Sequence, residues 1–200
     1  MELDHIAVAG ASLQDAAAYV EDALGVRLQD GGKHDKFGTH NRLLGLSDGL
    51  YLEAIATDPE APNPGRPRWF NLDNFSGSPR LTNWICRVPD LDAALDTLPA
   101  GLGEAIDLAR GDLRWSMAVP QTGVLPYDDV CPAIIQWHGD LHPAKMLTPS
   151  GCTLRRLNVS HPRARELAQV LGTLSHVDLL TGPAGLQAEF QTPGGIRVLE

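Results

Sequence analysis

The feature that most constrains the fold of this chain is a strand followed at once by a capped helix, a pattern that occurs repeatedly. A predicted strand precedes Ser12, which has the spacing of a helix N-cap, and another precedes the cap Asp90. The shift that carries Ser12 onto Asp90 also carries His5 onto Asn83, so strand and cap keep the same register. A third predicted strand, residues 153–159, precedes Ser160, which we expect to cap a helix through Leu174.

Several further strands follow each start, so the chain is predicted to contain three βαβββ units in one globular body. The first unit covers residues 1–57, the second 81–140 and the third 153–200, and a proline-rich linker or lid lies at 58–80. Strands are expected at residues 3–9, 26–28, 40–46 and 50–56, at 81–88, 104–108, 113–119 and 133–138, and at 153–159, 177–180, 186–191 and 196–199. One helix per unit of this length does not match the short periods of solenoids.

Composition excludes some classes of function. The chain has 200 residues and a formal net charge of -9, which argues against a nucleic-acid partner because phosphate binding requires a basic surface. Three cysteines without a CxxC pair indicate neither a disulfide framework nor a cysteine-rich zinc site, which favours the reducing cytoplasm. The first predicted strand leaves no room for a signal peptide, and no apolar run reaches the ~20 residues of a membrane span. We therefore expect no membrane partner.

Three stretches carry a resemblance to a known family: Leu3-Asp4-His5-Ile6-Ala7-Val8, Gly32-x-His34-x-x-x-Gly38-Thr39-x-Asn41-x-Leu43-Leu44 and Tyr51-Leu52-Glu53-Ala54-Ile55. They resemble the glyoxalase-like branch of the vicinal oxygen chelate superfamily, which includes glyoxalases, bleomycin resistance proteins and dihydroxybiphenyl dioxygenases. The resemblance implies an α+β fold in which βαβββ modules form a cupped mixed β-sheet. It implies a small-molecule ligand in the cup, and it specifies the fold more strongly than the reaction.

The resemblance also implies where a divalent metal would bind, because many members hold one in the cup with His and Glu ligands from each module. The first module offers His5 and Glu53, whereas the corresponding positions of the second are Asn83 and Gln136. Two such ligands with two neutral amides make a weak site. If zinc, iron, manganese, nickel or magnesium binds, the expected ligands are His5, Glu53 and Gln136, with open positions for a substrate that has two neighbouring oxygens.

His5 and Glu53 are also the predicted catalytic residues without a metal. Both lie in apolar strands, and a buried carboxylate without a partner is costly, so either His5 or a metal is expected to satisfy Glu53. A His-Glu pair is suited to general acid-base catalysis. The alternative is structural, with each side chain held by neighbours within the cup.

The residues predicted to bind substrate are Asn41, Asn83, Arg114, Gln136 and His138. Asn41 is chosen from the family-like Gly-Thr-x-Asn run, and Gln136 and His138 share one face of a strand. His138 is either part of the polar lining or a solvated rim residue. Arg114 and Trp115 face opposite ways, so Arg114 either binds a substrate carboxylate or is a surface charge.

Two functions remain open at this point. The first is a lyase, isomerase or dioxygenase that acts on an oxygenated organic substrate in the cup. The second is a protein of the same fold that sequesters a small molecule without catalysis, which the amides Asn83 and Gln136 favour. Because two modules complete one cup, the third unit is expected either to extend the first sheet or to help form a homodimer.

Overall fold

The computed structural model describes all 200 residues. The elements of the first unit are β1 (Glu2–Ala9), α1 (Leu13–Leu24), β2 (Gln29–His34), β3 (Thr39–Leu46) and β4 (Tyr51–Thr57). Ser12 caps α1 by accepting a hydrogen bond from the Asp15 amide, and Gly25 ends the helix in the left-handed region at φ 71°. The predicted strand at 26–28 is wrong: β2 begins after it and contains Gly31 and Gly32, which the sequence suggested were a turn.

The elements of the second unit are β5 (Arg80–Arg87), α2 (Leu91–Leu95), β6 (Glu104–Arg110), β7 (Leu113–Val119) and β8 (Ala133–Trp137). Asp90 caps α2 through the Ala93 amide, as its position predicted. The helix is shorter than expected because it buries only one residue, Leu91, so little apolar contact holds a further turn.

A short helix, α3 (Pro143–Met146), precedes the third unit, whose elements are β9 (Pro149–Ser160), α4 (Ala164–Leu171), β10 (Val177–Leu180), β11 (Gly185–Thr192) and β12 (Gly195–Leu199). The cap predicted at Ser160 is wrong. Ser160 is the last residue of β9 and its hydroxyl donates to the Pro183 carbonyl, whereas α4 begins four residues later without a side-chain cap.

One curved sheet collects all twelve strands in the order β12-β11-β9-β3-β4-β1-β5-β8-β7-β6, with β10 beside β9 and β2 beside β3. The centre is β1, parallel to β4 and antiparallel to β5. The third unit extends the sheet because β9 pairs in parallel with β3 through Gly45 and Pro149. The predicted α+β fold of repeated units in a cupped sheet is confirmed.

The proline-rich segment between the first two units carries a 3-10 helix, Trp69–Asn74. Trp69 is 4% and Phe70 6% exposed, and both side chains pack into the main hydrophobic core. Phe70 and Asn71 have φ values of 57° and 54°, in the left-handed region, so the chain bends sharply where the two aromatic rings enter. No helix of the structure has both the length and the apolar character needed to span a bilayer.

Candidate functional site

The concave face of the sheet forms a small cavity between the first and second units. It is lined by His5, His34, Asn41, Leu43, Tyr51, Glu53, Trp69, Phe70, Arg110, Trp115, Met117, Ile135 and Trp137. The cavity volume is about 30 Å³, which holds one or two water molecules. We call this set of side chains the cup; its histidines, Asn41, Tyr51 and Glu53 lie on strands of the first unit, and Arg110 comes from the second.

A bulge in β1 positions the histidine of the cup. The register of β1 against β5 slips between Leu3 and His5, which leaves Asp4 as the extra residue. In a regular strand Asp4 and His5 would face opposite ways, yet here His5 Nδ1 lies 2.6 Å from Asp4 Oδ1. Because an ionised carboxylate only accepts, Nδ1 carries a proton, and in the neutral imidazole the lone pair is on Nε2.

Asp4 is the centre of a buried network. Its Oδ2 accepts from Trp137 Nε1 at 3.0 Å and from His142 Nε2 at 2.9 Å, and the Ala144 amide donates to His142 Nδ1, which fixes the proton of His142 on Nε2. Burial acts to raise the pKa of Asp4, but the hydrogen bonds from His142 and His5 outweigh it and hold the pKa well below its usual range. Asp4 is therefore a fixed negative charge behind His5.

Glu53 faces His5 across the cup. Its Oε2 lies 3.8 Å from His5 Nε2, too far for a direct hydrogen bond, so both atoms remain able to act on a third group. Its Oε1 accepts from Asn41 Nδ2 at 2.5 Å, and the carboxylate is 5% exposed. Tyr51 stacks on the His5 ring with centroids 4.2 Å apart, which fixes the plane of the imidazole.

Asn41 connects this pair to a cationic group. Its Oδ1 accepts from the Gly32 amide at 2.8 Å and from Arg110 Nη1 at 3.2 Å. The same Nη1 lies 3.3 Å from His34 Nε2, and His34 Nδ1 lies 3.0 Å from the Thr39 hydroxyl. Burial and the nearby guanidinium lower the pKa of His34 to about 3, so this histidine is neutral and accepts from Arg110.

A comparison with known families identifies the fold of this site. The sequence matches the family model described as a glyoxalase-like domain over residues 3–175. The chain belongs to that family. The predicted resemblance to glyoxalase-like proteins is thus confirmed. A search of curated proteins finds no match to this glyoxalase-like chain.

Solved structures share the fold at low identity. A hypothetical protein from Staphylococcus aureus has 16% identity and a TM-score of 0.61, with 92% of this chain and 87% of that chain covered. Methylmalonyl-CoA epimerases from Mycobacterium tuberculosis and Streptomyces coelicolor are 23% and 15% identical, each with a TM-score of 0.44 and 70% of this chain covered; 89% and 99% of their own chains align. The staphylococcal likeness shows the fold alone.

The donor set of the cup does not fit a resident divalent metal. His5 Nε2 and Glu53 Oε2 are two donors, and no group of three His, Cys, Asp or Glu side chains able to hold a metal occurs in the structure. Asn41 cannot add a third because its Oδ1 already accepts from Gly32 and Arg110. A guanidinium this close also disfavours a second cation. Members of the superfamily commonly use divalent metals, but the side chains of this cup do not supply the ligands that such an ion needs.

Gln136 and His138 lie outside the cup, contrary to expectation. Ile135 and Trp137 of the same strand line the cavity, so the alternate residues face the other side of the sheet. Gln136 Oε1 accepts from the Leu91 amide at 2.9 Å, which places it against α2. His138 Nε2 lies 2.7 Å from the Ser116 hydroxyl. Neither side chain is brought together with His5. Gln136 is therefore not placed where the predicted third metal ligand would have to be.

Arg114 is also outside the cup, because Trp115 is the residue of that pair that faces inward. Arg114 Nη1 donates to the Gly111 and Leu113 carbonyls near the turn of its hairpin. The arginine that reaches the cup is Arg110, at the end of β6. Sequence reasoning ended this strand at residue 108 and missed it.

Glycines in β2 were the available signal for Arg110. A Cβ on Gly32 would lie 2.6 Å from Arg110 Cδ, and one on Gly31 would lie 2.0 Å from Asn41 Oδ1. Two glycines in a strand often mark such a close approach of another chain segment. From the sequence alone, Gly31 and Gly32 suggested a turn instead. His142 carried no comparable signal, because it lies between the predicted second and third units.

Asn83 does not line this cavity. Asn83 instead lines a second, larger cavity, which Phe70 also borders. Of the seven predicted site residues, the structure therefore brings together His5, Glu53 and Asn41.

Proposed function

We propose that this protein is a small-molecule enzyme of the proton-transfer type, an isomerase or a lyase, with His5 and Glu53 as the acid-base pair. The observation that carries the proposal is the pair itself: two groups able to accept a proton, 3.8 Å apart, buried at one cavity and each held from behind. Such opposed groups allow one to remove a proton from a substrate while the other returns a proton elsewhere.

His5 is arranged as a base at Nε2. Asp4 holds the proton on Nδ1 and stabilises the imidazolium that forms when Nε2 takes a second proton. Tyr51 and the Asp4 hydrogen bond together fix the ring, so Nε2 stays directed at Glu53. The same orientation would serve proton return.

Arg110 defines the substrate class that we propose, an organic acid or ketone with an acidic C–H next to a carbonyl. Removal of that proton leaves negative charge on the carbonyl oxygen as an enolate, and a fixed guanidinium stabilises such charge in a site that excludes water. Only Nη1 of Arg110 is used in hydrogen bonds to Asn41 and His34. Its other N–H groups are free to bind a substrate oxygen.

The step balances within these groups. Glu53 takes the proton from carbon and becomes neutral, and the C–H electron pair moves into the enolate. Glu53 then passes that proton to His5 Nε2, and the resulting imidazolium, stabilised by Asp4, gives it to another carbon or to a leaving group, which returns both side chains to their starting states. A dioxygenase is the third reaction in the predicted range. It is not part of this proposal, because it depends on a metal and the cup supplies only two metal ligands.

Substrate entry requires the 58–80 segment to act as a lid. A cavity of about 30 Å³ is far smaller than a metabolite, and Trp69 and Phe70 occupy the space above the polar cluster. Movement of these two rings would open the cup and their return would exclude water.

The experiment is solvent exchange, which needs no knowledge of the product. The protein is incubated in D2O with a panel of 2-oxo acids, 2-hydroxy ketones and malonate half-esters, and deuterium at carbon is followed by NMR. We expect exchange by the wild type on one class and a loss of about 10²–10⁴-fold in Glu53→Gln and His5→Gln. Gln136→Leu, on the other face of the sheet, is the matched control and keeps full exchange. Equal exchange in Glu53→Gln and wild type would contradict the proposal.

The second candidate is sequestration of a small molecule without chemistry, and the aromatic lining favours it. Tyr51, Trp69, Phe70, Trp115 and Trp137 surround the cavity and would stack on an unsaturated or cationic ligand once the lid opens. Binding of panel compounds with no exchange in the wild type would select this function.

A further inference from the structure

A second cavity, of about 360 Å³, lies beside the cup and shares Phe70 with it. Its walls come from the 3-10 helix, the start of β5, the loop at 128–130 and the third unit at 184–186, with Glu200. The volume is within the range of small-molecule sites. Because the third unit supplies one wall, two modules alone would not form this cavity.

Asn83 is the feature that points to a ligand. It is 1% exposed and lines this cavity, yet neither its Nδ2 nor its Oδ1 has a partner among the protein's own groups. It is the one buried side chain whose donor and acceptor both lack a partner. A buried amide in this state is costly, and it is fully satisfied by a molecule that presents an acceptor next to a donor.

The charges of the cavity exclude an anion. Asp128, Asp129 and Glu200 line it against the single cation Arg80. Arg80 is already engaged, because its Nη1 donates to two backbone carbonyls and its guanidinium lies 4.4 Å from the Phe75 ring centroid. An uncharged or cationic ligand is favoured in this field.

The apolar walls favour a flat ligand. Phe70, Phe75, Leu81, Val130 and Leu186 surround the polar floor. We propose that this cavity binds a small planar molecule, uncharged or cationic, whose carboxamide-like edge pairs with the side-chain amide of Asn83. This class includes aromatic carboxamides and pyrimidine bases. The proposal is independent of the chemistry proposed for the cup.

The test is binding of nicotinamide and uracil by the full chain, with benzoate as an anion of similar size, measured by calorimetry. We expect saturable binding of at least one of the first two, none of benzoate, and a Kd raised about tenfold or more in Asn83→Leu because two hydrogen bonds are lost. Asn158→Leu, a strand asparagine outside the cavity, is the matched control and binds as the wild type does.

A measurement on the wild type guards against a variant that does not fold. In a 1H–15N spectrum the side-chain NH2 signals of Asn83 should shift on titration with the ligand that binds. Failure of both compounds to bind, equal affinity in a folded Asn83→Leu, or unshifted Asn83 signals at saturation would each overturn the proposal. None of these outcomes depends on the deuterium-exchange assay of the cup, so the two proposals can fail separately.

Discussion

The two cavities of this glyoxalase-like chain differ in whether a buried amide or ionisable side chain is left without a partner. In the cup, His5, Glu53, Asn41 and His34 all have protein partners, and the space left is about 30 Å³. In the second cavity, Asn83 has no protein partner and the space is about 360 Å³. In the functions that we propose, the first arrangement is fixed before a ligand arrives, whereas the second is completed by its ligand.

The difference follows from local backbone structure. The bulge at Asp4 and the glycines of β2 bring polar side chains of the first unit within hydrogen-bonding distance of each other. Around Asn83 the neighbouring Asn71 and Asn74 bond to each other, and Asn71 also donates to Asp129, so none of them reaches Asn83. A network in which every group is paired holds one geometry. An unpaired buried amide leaves one donor and one acceptor without hydrogen bonds.

Removal of Asp4 is expected to have the largest effect on this comparison. Asp4→Ala leaves His5, His142 and Trp137 without their common acceptor, and breaking such a buried charged network lowers the free energy of unfolding by about 3–5 kcal/mol. Urea denaturation measures it. Asn83→Leu, equally buried but without a partner to lose, is expected to cost less than about 1 kcal/mol. A cost for Asp4→Ala no greater than that for Asn83→Leu would break the comparison.

Acid is expected to lower the free energy of unfolding through protonation of His34. Its pKa falls from 6.5 to about 3 on folding, so between these values the unfolded chain binds a proton that the folded chain does not, and stability is lost as pH falls. The slope for this group is at most ~1.4 kcal/mol per pH unit. Asp4, whose pKa is lowered, adds a loss only below about pH 4, near the ordinary carboxyl pKa.

The check is urea denaturation of the wild type and His34→Gln between pH 6.5 and 4.5. The variant should show a shallower loss of stability, and His176→Asn, outside the cup, should keep the wild-type slope. Parallel curves for wild type and His34→Gln would show that the buried imidazole does not titrate as its surroundings indicate.

Metals are expected to have the smallest effect. A resident ion at a hundredfold excess over its Kd would add about 2.7 kcal/mol to stability, which is several degrees in Tm for a chain of this size. With two donors in the cup we expect a shift below about 1 °C on adding zinc, manganese or magnesium, or on chelation. A larger shift that disappears in Glu53→Gln would restore the predicted metal site.

The fold could be predicted because its signals are local and repeated. Ser12 and Asp90 cap helices where the strand-to-helix spacing placed them, and the third unit has the expected order of elements. The prediction that Ser160 caps a helix was wrong, because the hydroxyl of a serine at the end of a strand can donate to a loop carbonyl instead of accepting from a helix amide. Nothing in the local sequence distinguishes these two uses of a hydroxyl.

The candidate site was predictable only in part, because it depends on which face of a strand each residue takes. His5, Glu53 and Asn41 were found from strand pattern and resemblance. Gln136 was placed on the wrong face because motif matching gave its position without the β8 register. Arg110 reaches the cup through contacts between distant strands, which no periodicity records.

Three of the four tryptophans, Trp69, Trp115 and Trp137, line the cup, and the fourth, Trp84, is fully buried with its Nε1 bonded to the Val130 carbonyl. Indole emission depends on the polarity around the ring, so three of the four indoles of this protein report on the cup. Opening of the proposed lid would expose Trp69 and shift its emission to longer wavelength, while the emission of Trp84 would not change. With the proposed lid movement, Trp69 would report occupancy of the cup and Trp84 would serve as an internal reference, so candidate ligands can be screened without a label.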